Sequence, residues 1–131
     1  MAEAGSGGSL AKALSSADGD WQVIAGAYVA PTVEKLCHLL ATDNNERTEG
    51  TSGDQRIKLL AAAVADATAS RWAVAVGQAG RDENGSGYVE VAFKLPDGRI
   101  ESRKVRLRGN GELARSRLST QLLDQLRRRL K

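Results

Sequence analysis

The stretch that determines the fold runs from residue 88 to residue 108 and reads YVEVAFKLPDGRIESRKVRLR. Over residues 88–95, large apolar side chains at the odd positions alternate with Tyr88, Glu90, Ala92 and Lys94 at the even positions, and this period of two is typical of a β-strand. The Pro-Asp-Gly at 96–98 predicts a tight turn, because proline presets one backbone dihedral and glycine accepts a positive φ. The stretch therefore predicts a β-hairpin, with one face of its first strand formed by Val89, Val91, Phe93 and Leu95.

The returning strand, from Arg99, does not keep its apolar residues in a single register. Ile100 stands at an even position, whereas Val105 and Leu107 stand at odd ones, so a regular strand would place them on opposite faces. A β-bulge near residues 102–104 would return them to one buried face. We therefore expect a bulged second strand that ends at the Gly109-Asn-Gly111 segment.

Helical and extended patterns flank this hairpin. Asp54 can cap a helix whose apolar positions recur at helical spacing. Trp72 to Val76 suits a strand, although the preceding helix could instead continue to Gln78. Residues 79–87 predict a loop, and residues 112–130 predict an amphipathic helix. The apolar positions of the two helices are Ile57, Leu60, Ala61, Val64 and Ala67, and Leu118, Leu122, Leu126 and Leu130.

The N-terminal part is less clearly patterned. Residues 1–9 are rich in glycine, serine and alanine and predict a flexible leader. Residues 21–30 are almost wholly apolar, and periodicity alone does not decide between a buried helix and a buried strand. A helix to about residue 41 follows, with Val33, Leu36, Cys37 and Leu40 on one face. Residues 42–53 predict a polar loop.

These elements predict the α+β class, with N-terminal helices followed by a three-stranded antiparallel sheet and a C-terminal amphipathic helix. After the leader, residues 10–131 would form one domain, in which residues 10–53 are helical and residues 54–131 form an α-β-β-β-α core. A chain of 131 residues can bury such a core without disulfides. The single cysteine, Cys37, and the absence of a secretory signal favour an intracellular, cytoplasmic protein.

Charge is distributed unevenly along the chain. Residues 99–131 carry eleven basic and three acidic side chains, whereas the first 98 residues are net acidic. This asymmetry favours a polyanionic partner, and we expect that partner to be nucleic acid. The basic residues that we expect to contact phosphates lie on the second strand of the hairpin and at the start of the last helix, namely Arg103, Lys104, Arg106, Arg108, Arg115 and Arg117.

The order helix, strand, strand, strand, helix resembles the double-stranded RNA-binding domain over about residues 54–131. The resemblance is carried by WAVAV at 72–76, YVEVAF at 88–93, VRL at 105–107 and GNG at 109–111, before Arg115 and Arg117. It implies a non-enzymatic protein that binds RNA duplexes in preference to DNA. It further implies that the last helix meets phosphates, while residues 81–87 and the region of Gln55 and Arg56 enter minor grooves.

Alternatives to each of these interpretations stay open. A charged edge strand can serve only to prevent aggregation, and Arg127–Arg129 can serve only the dipole of the last helix. The chain could instead be a structural or assembly protein, for example a homodimer or a viral or phage accessory component associated with the virion. No catalytic motif and no cofactor is predicted. A metal site is not predicted either, because Cys37 and His38 have no further cysteine or histidine to complete one.

Overall fold

The computed structural model describes residues 1–16, 24–40 and 53–130. Within these ranges no helix is long and apolar enough to cross a membrane. The described strands are β1 Ala2–Glu3, β2 Tyr28–Val29, β3 Ala73–Val76, β4 Gly80–Arg81, β5 Gly87–Lys94 and β6 Ile100–Arg106. The described helices are α1 Ser9–Ser16, α2 Val33–Leu39, α3 Gly53–Thr68 and α4 Gly111–Leu130.

The six strands form one mixed sheet. Its order is β2-β1-β3-β5, and β5 also pairs with β4 and β6. β1 runs parallel to both β2 and β3, whereas β5 runs antiparallel to its partners. The predicted three-stranded antiparallel sheet is therefore wrong. Three of its strands exist as β3, β5 and β6, but the N-terminal part adds parallel strands to the same sheet.

The added strands come from segments that were predicted differently. Residues 1–9 are not a flexible leader: Ala2 and Glu3 are fully buried in β1, between β2 and β3. Of the ambiguous residues 21–30, Tyr28 and Val29 form β2, while residues 21–23 lie outside the described ranges. The predicted polar loop lies almost entirely outside them as well. Strands of two residues are too short to display a period of two, so the sequence pattern could not reveal them.

Helices cover both faces of the sheet. On one face, α2 and α3 contribute Leu36, Ile57 and Leu60 to a core that includes Ala75 and Ala92 of the sheet. On the other face lies a second core around β5, to which α1 and α4 contribute Leu10, Leu118 and Leu122. The molecule is therefore a three-layer α/β/α arrangement, and each strand can bury apolar side chains on both sides.

This double coverage explains the mismatched positions in β6. The strand pairs with β5 in unbroken register, from Tyr88 opposite Arg106 to Lys94 opposite Ile100. The predicted bulge is therefore wrong. Ile100 packs against the core under α2 and α3, whereas Val105 belongs to the core under α1 and α4. The sequence prediction failed because it assumed that only one face of the sheet is buried.

Several local predictions are confirmed. The helix expected from Asp54 is α3, the strand favoured at 72–76 is β3, and the C-terminal helix is α4. The alternation in β5 is also confirmed, because Val89, Val91 and Phe93 all belong to the core under α1 and α4. The predicted loop at 79–87 is in part a hairpin, since β4 pairs with the start of β5.

Candidate ligand-binding site at the carboxyl edge of the sheet

Three loops meet where the parallel strands end. Residues 4–8 follow β1, residues 30–32 follow β2, and residues 77–79 follow β3. Backbone hydrogen bonds join them: the amide of Ala4 donates to Val76, that of Gly5 to Gly77 and that of Ala30 to Glu3. In open α/β sheets, ligands bind in the crevice outside the carboxyl ends of such strands. This edge is therefore the first place to look for a site.

The loop after β1 is built around the carboxylate of Glu3, which is fully buried. The hydroxyl of Ser6 donates to this carboxylate. So do the backbone amides of Leu10 at 3.1 Å and Ala11 at 2.6 Å. These amides lie in the first turn of α1, where no intrahelical acceptor exists for them. Glu3 therefore caps α1, and it closes that helix terminus to external anions.

The loop also packs tightly against its neighbours. A Cβ on Gly5 would lie 2.5 Å from the carbonyl oxygen of Gly77 and 2.8 Å from Cγ1 of Val89. Distances this short are not tolerated between real side chains, so only glycine fits at this position. The close approach holds the β1–α1 loop against the end of β3.

The start of α2 is closed by the protein's own side chains as well. Oε1 of Gln78, from the loop after β3, accepts a hydrogen bond of 2.9 Å from the amide of Val33. Oγ1 of Thr32 accepts one of 3.2 Å from the amide of Lys35, as a helix N-cap does. The polar groups of Glu3, Ser6 and Gln78 thus hold the crevice together. Sequence reasoning missed all three, although the acidic residue in a Gly/Ser segment just before α1 was an available signal.

One cationic side chain at this edge, that of Arg115, does not take part in holding the loops together. The guanidinium of Arg115, on α4, lies over the β1–α1 loop: a Cβ on Gly7 would be 3.3 Å from its Cζ and 3.4 Å from its Nε. Gly7 also has a φ of 60°, which side-chain-bearing residues rarely adopt. Arg115 is exposed and forms no hydrogen bond or ion pair with any residue in the described ranges.

Arg115 separates two open clefts. We call the first the helix cleft; it lies between α1 and α4, has a volume of about 520 Å³ and includes Gly7, Lys12, Arg115 and Ser119 in its lining. The second, the strand cleft, has a volume of about 510 Å³ and includes Gly5, Ala79, Arg81 and Arg115. Both volumes are in the range typical of small-molecule sites.

The other basic residues predicted to bind nucleic acid are divided between the two faces of the sheet. Lys104 and Arg106 lie on the α3 side of β6, and Nζ of Lys104 is 4.7 Å from the ring centroid of Tyr88. Arg103 has the opposite parity and therefore lies on the α4 side. Arg108 precedes α4. Arg117 lines neither cleft, although its Nη1 lies near Gly109, a lining residue of the strand cleft.

The three arginines near the end of α4 have partners within the fold. Arg127 and Arg128 form ion pairs with Asp124 at 3.1 and 2.8 Å. The hydrogen bond from Arg127, together with the charge of Arg128, lowers the pKa of Asp124 below its ordinary value. Arg129 pairs with Glu101 at 3.2 Å, and its guanidinium carbon lies 4.2 Å from the ring centroid of Phe93. The first two arginines therefore stabilise the last turns of α4, and the third joins the end of α4 to β6.

No cluster of three or more histidine, cysteine or acidic side chains suited to a metal ion occurs among residues 1–16, 24–40 and 53–130. Cys37 is buried in the core under α2, whereas His38 is exposed. The two side chains thus leave α2 in different directions, as their adjacency in a helix predicts.

The arrangement of the chain is that of a known family. The sequence profile of the CinA C-terminal domain matches residues 1–130. The chain belongs to the CinA C-terminal domain family. Solved structures with this fold include the competence or damage-inducible protein from Enterobacter asburiae, with 21% identity and a TM-score of 0.75 over 99% of this chain and 85% of that one. No similar sequence is found among curated proteins.

Two further structures agree with this assignment. The CinA superfamily protein from Enterobacter cloacae has 20% identity and a TM-score of 0.77 over 99% of this chain and 80% of that one. The competence/damage inducible protein CihA from Agrobacterium tumefaciens has 23% identity and a TM-score of 0.75 over 95% of this chain and 80% of that one. At these identities the structures establish the shared fold.

Membership of the CinA C-terminal domain family corrects two predictions. The resemblance to the double-stranded RNA-binding domain is wrong, because the family match and the structural neighbours all belong to CinA-type proteins. The function inferred from that resemblance, duplex RNA binding, is wrong for the same reason. The α-β-β-β-α order is present from α3 to α4, but in this chain its strands belong to a mixed sheet that begins with β1.

Proposed function

We propose that this member of the CinA C-terminal domain family binds a small anionic molecule at the carboxyl edge of its sheet, through Arg115, and does not transform it. The observation that carries the proposal is the position of the Arg115 guanidinium. It rests on the backbone of Gly7, between two clefts, without a partner in the described part of the chain. A guanidinium presents several hydrogen-bond donors in a planar fork that suits carboxylate and phosphate groups.

The local electrostatics favour an anion at this point. Arg115 stands near the start of α4, where the helix dipole disfavours positive charge. An ion pair within the protein would offset that cost, but Arg115 forms none with any residue in the described ranges. A bound anion would supply the same compensation for Arg115. Because Gly7 has no side chain, one face of the guanidinium lies directly over the backbone of the loop.

The engagement of the neighbouring polar groups supports binding over catalysis. A catalytic nucleophile or acid–base group must reach the substrate. The hydroxyl of Ser6 and the carboxylate of Glu3 are both fully buried and bonded to each other, and Oε1 of Gln78 caps α2. These three side chains hold the loops in place and line neither the helix cleft nor the strand cleft.

The proposal is tested by titrating the ¹⁵N-labelled protein with acetate and with inorganic phosphate while recording ¹H–¹⁵N spectra. We expect saturable shifts of the Gly7 and Gly8 amides in the wild type. Arg115→Ala should weaken binding by about 10- to 100-fold, since a hydrogen-bonded charge pair contributes about 1.5–3 kcal/mol.

The matched control is Arg117→Ala, which removes the same charge two residues further along α4, at a position that lines neither cleft. It should bind like the wild type. Equal weakening in both variants would indicate non-specific attraction to the basic helix and would contradict the proposal. Absence of any saturable shift at Gly7 and Gly8 would contradict it as well.

A further inference from the structure

The helix cleft is rich in hydroxyl groups whose protons are already used. The Ser9 hydroxyl donates to the carbonyl of Ser6 at 2.5 Å, that of Ser16 to Lys12 at 2.7 Å and that of Thr120 to Ser116 at 3.0 Å. A hydroxyl that has donated its one proton can still accept hydrogen bonds. These side chains therefore offer acceptors that a ligand with hydroxyl donors can use.

A fourth hydroxyl in the lining is buried without a partner. Ser119 is only 4% exposed, and its Oγ forms no hydrogen bond with any residue of the described ranges. Buried polar groups in native proteins are rarely left unsatisfied, and each exception calls for an explanation. Oγ itself has almost no accessible surface, so a ligand group in the cleft would satisfy it once the Ser119 side chain rotates towards the cleft.

The charges of the lining decide between the kinds of ligand that carry donors. Lys12 and Arg115 are cationic and Glu112 is anionic, so the cleft has a net positive charge. A zwitterion such as a free amino acid would bring donors but no net negative charge. A molecule with one acidic group and several hydroxyls supplies both a negative charge for Lys12 and Arg115 and donors for the hydroxyl oxygens of Ser9, Ser16 and Thr120.

We propose that the helix cleft binds a polyhydroxylated monoanion of the sugar-acid class, with its acidic group on Arg115 and a hydroxyl at Ser119. This inference rests on the proposed function, because it names the class of anion that Arg115 holds. The backbone amides of Leu10 and Ala11 at the start of α1 take no part, since Glu3 already accepts from both.

The test compares four probes in ¹H–¹⁵N titrations: gluconate, acetate, sorbitol and serine. Gluconate combines the charge with the hydroxyls, acetate has only the charge, sorbitol has only the hydroxyls, and serine is the zwitterion. We expect gluconate to shift the amides of Gly7, Ser119 and Thr120 saturably, at least 10-fold more tightly than acetate or serine. Sorbitol should give no saturable shift.

Ser119→Ala provides the variant. It should weaken gluconate binding about 2- to 10-fold, in keeping with the loss of one hydrogen bond. Its thermal stability should be equal to or above that of the wild type, because it removes an unsatisfied buried hydroxyl. The matched control is Ser15→Ala on α1, whose hydroxyl donates to Lys12 but which is not part of the cleft lining; it should leave gluconate binding unchanged.

The outcomes separate this inference from the proposed function. Equal affinities for acetate and gluconate, with Arg115 still required, would overturn the sugar-acid assignment and leave anion binding intact. Tighter binding of serine than of gluconate would overturn it in favour of a zwitterion. Unchanged gluconate affinity in Ser119→Ala would remove Ser119 from the site. Failure of every anion to bind would overturn both.

Discussion

Replacement of Glu3 tests whether this buried carboxylate is a structural cap or a group kept for chemistry. Glu3 accepts hydrogen bonds from the Ser6 hydroxyl and from the amides of Leu10 and Ala11, and it is fully buried. In Glu3→Gln, the amide oxygen can still accept, but its NH2 group cannot. At least one of the three donors then faces another donor.

The magnitude follows from these three bonds. An unsatisfied buried donor costs about 1–3 kcal/mol, so Glu3→Gln should lower the free energy of unfolding by about that amount. Glu3→Ala leaves all three donors without the carboxylate and should cost about 3–5 kcal/mol. For a domain of this size, each kcal/mol lowers Tm by about 3–5 °C.

The assay is urea denaturation followed by circular dichroism, with an unchanged m-value as the sign that the unfolding reaction is the same. The matched control is Glu83→Gln, at an exposed position in the turn between β4 and β5, which should change the free energy of unfolding by less than about 0.5 kcal/mol. If Glu3→Gln were as stable as this control, the carboxylate would not be a cap, and its availability for catalysis would have to be reconsidered.

Three further predictions concern the C-terminal helix, acid stability and oligomeric state. Arg129→Ala should lower the free energy of unfolding by about 1–2 kcal/mol in urea denaturation, because it removes both the ion pair with Glu101 and the contact with the Phe93 ring. Arg128→Ala removes only an exposed ion pair with Asp124 and should lower the free energy of unfolding by less than about 0.5 kcal/mol. Hydrogen bonds from Arg127 to Asp124 and from Ser102 to Asp54 lower the pKa of each carboxyl below its ordinary value of 3.8. The two ionised carboxylates therefore stabilise the fold above that pH, and this stabilisation is lost as the pH falls through the lowered pKa values. Asp124→Asn should show a flatter loss of stability than the wild type between about pH 4 and pH 2 in acid titration. The homodimer considered from the sequence stays a prediction, and a monomer in sedimentation equilibrium at high protein concentration would contradict it.

The elements with clear periodicity could be predicted from the sequence, and they are the long ones. The alternation of Val89, Val91 and Phe93 and the helical spacing of Ile57, Leu60 and Val64 were sufficient for β5 and α3. Each of these two elements presents a continuous apolar face, which extends over several turns of α3 and several residue pairs of β5. The period of the apolar residues therefore predicts which side chains are buried.

The architecture of the sheet could not be predicted in the same way. β1 and β2 have two residues each, and β1 lies in a segment whose glycine and serine content is typical of a linker. What makes Ala2 and Glu3 a buried strand is tertiary: parallel neighbours on both sides and the donors that Glu3 accepts from. The opposite parity of Ile100 and Val105 was a usable signal of a sheet covered on both faces, and it was interpreted as a bulge instead.

The candidate site was predicted only in part. Arg115 was singled out because a cation near a helix start needs compensation, and the structure places it at the carboxyl edge of the sheet. Arg117, its predicted companion, points elsewhere on α4, because residues two apart on a helix do not share a face. The contact between Arg115 and Gly7 joins residues far apart in the chain, so no local sequence pattern could predict it.

A crystal structure of the complex with gluconate would test the central claim most directly. The account predicts density for the carboxylate within hydrogen-bonding distance of the Arg115 guanidinium, about 2.7–2.9 Å, beside Gly7 and with the hydroxyls in the helix cleft. Gluconate bound instead on the face of Lys104 and Arg106, with the helix cleft unoccupied and Arg115 still resting on Gly7, would contradict it.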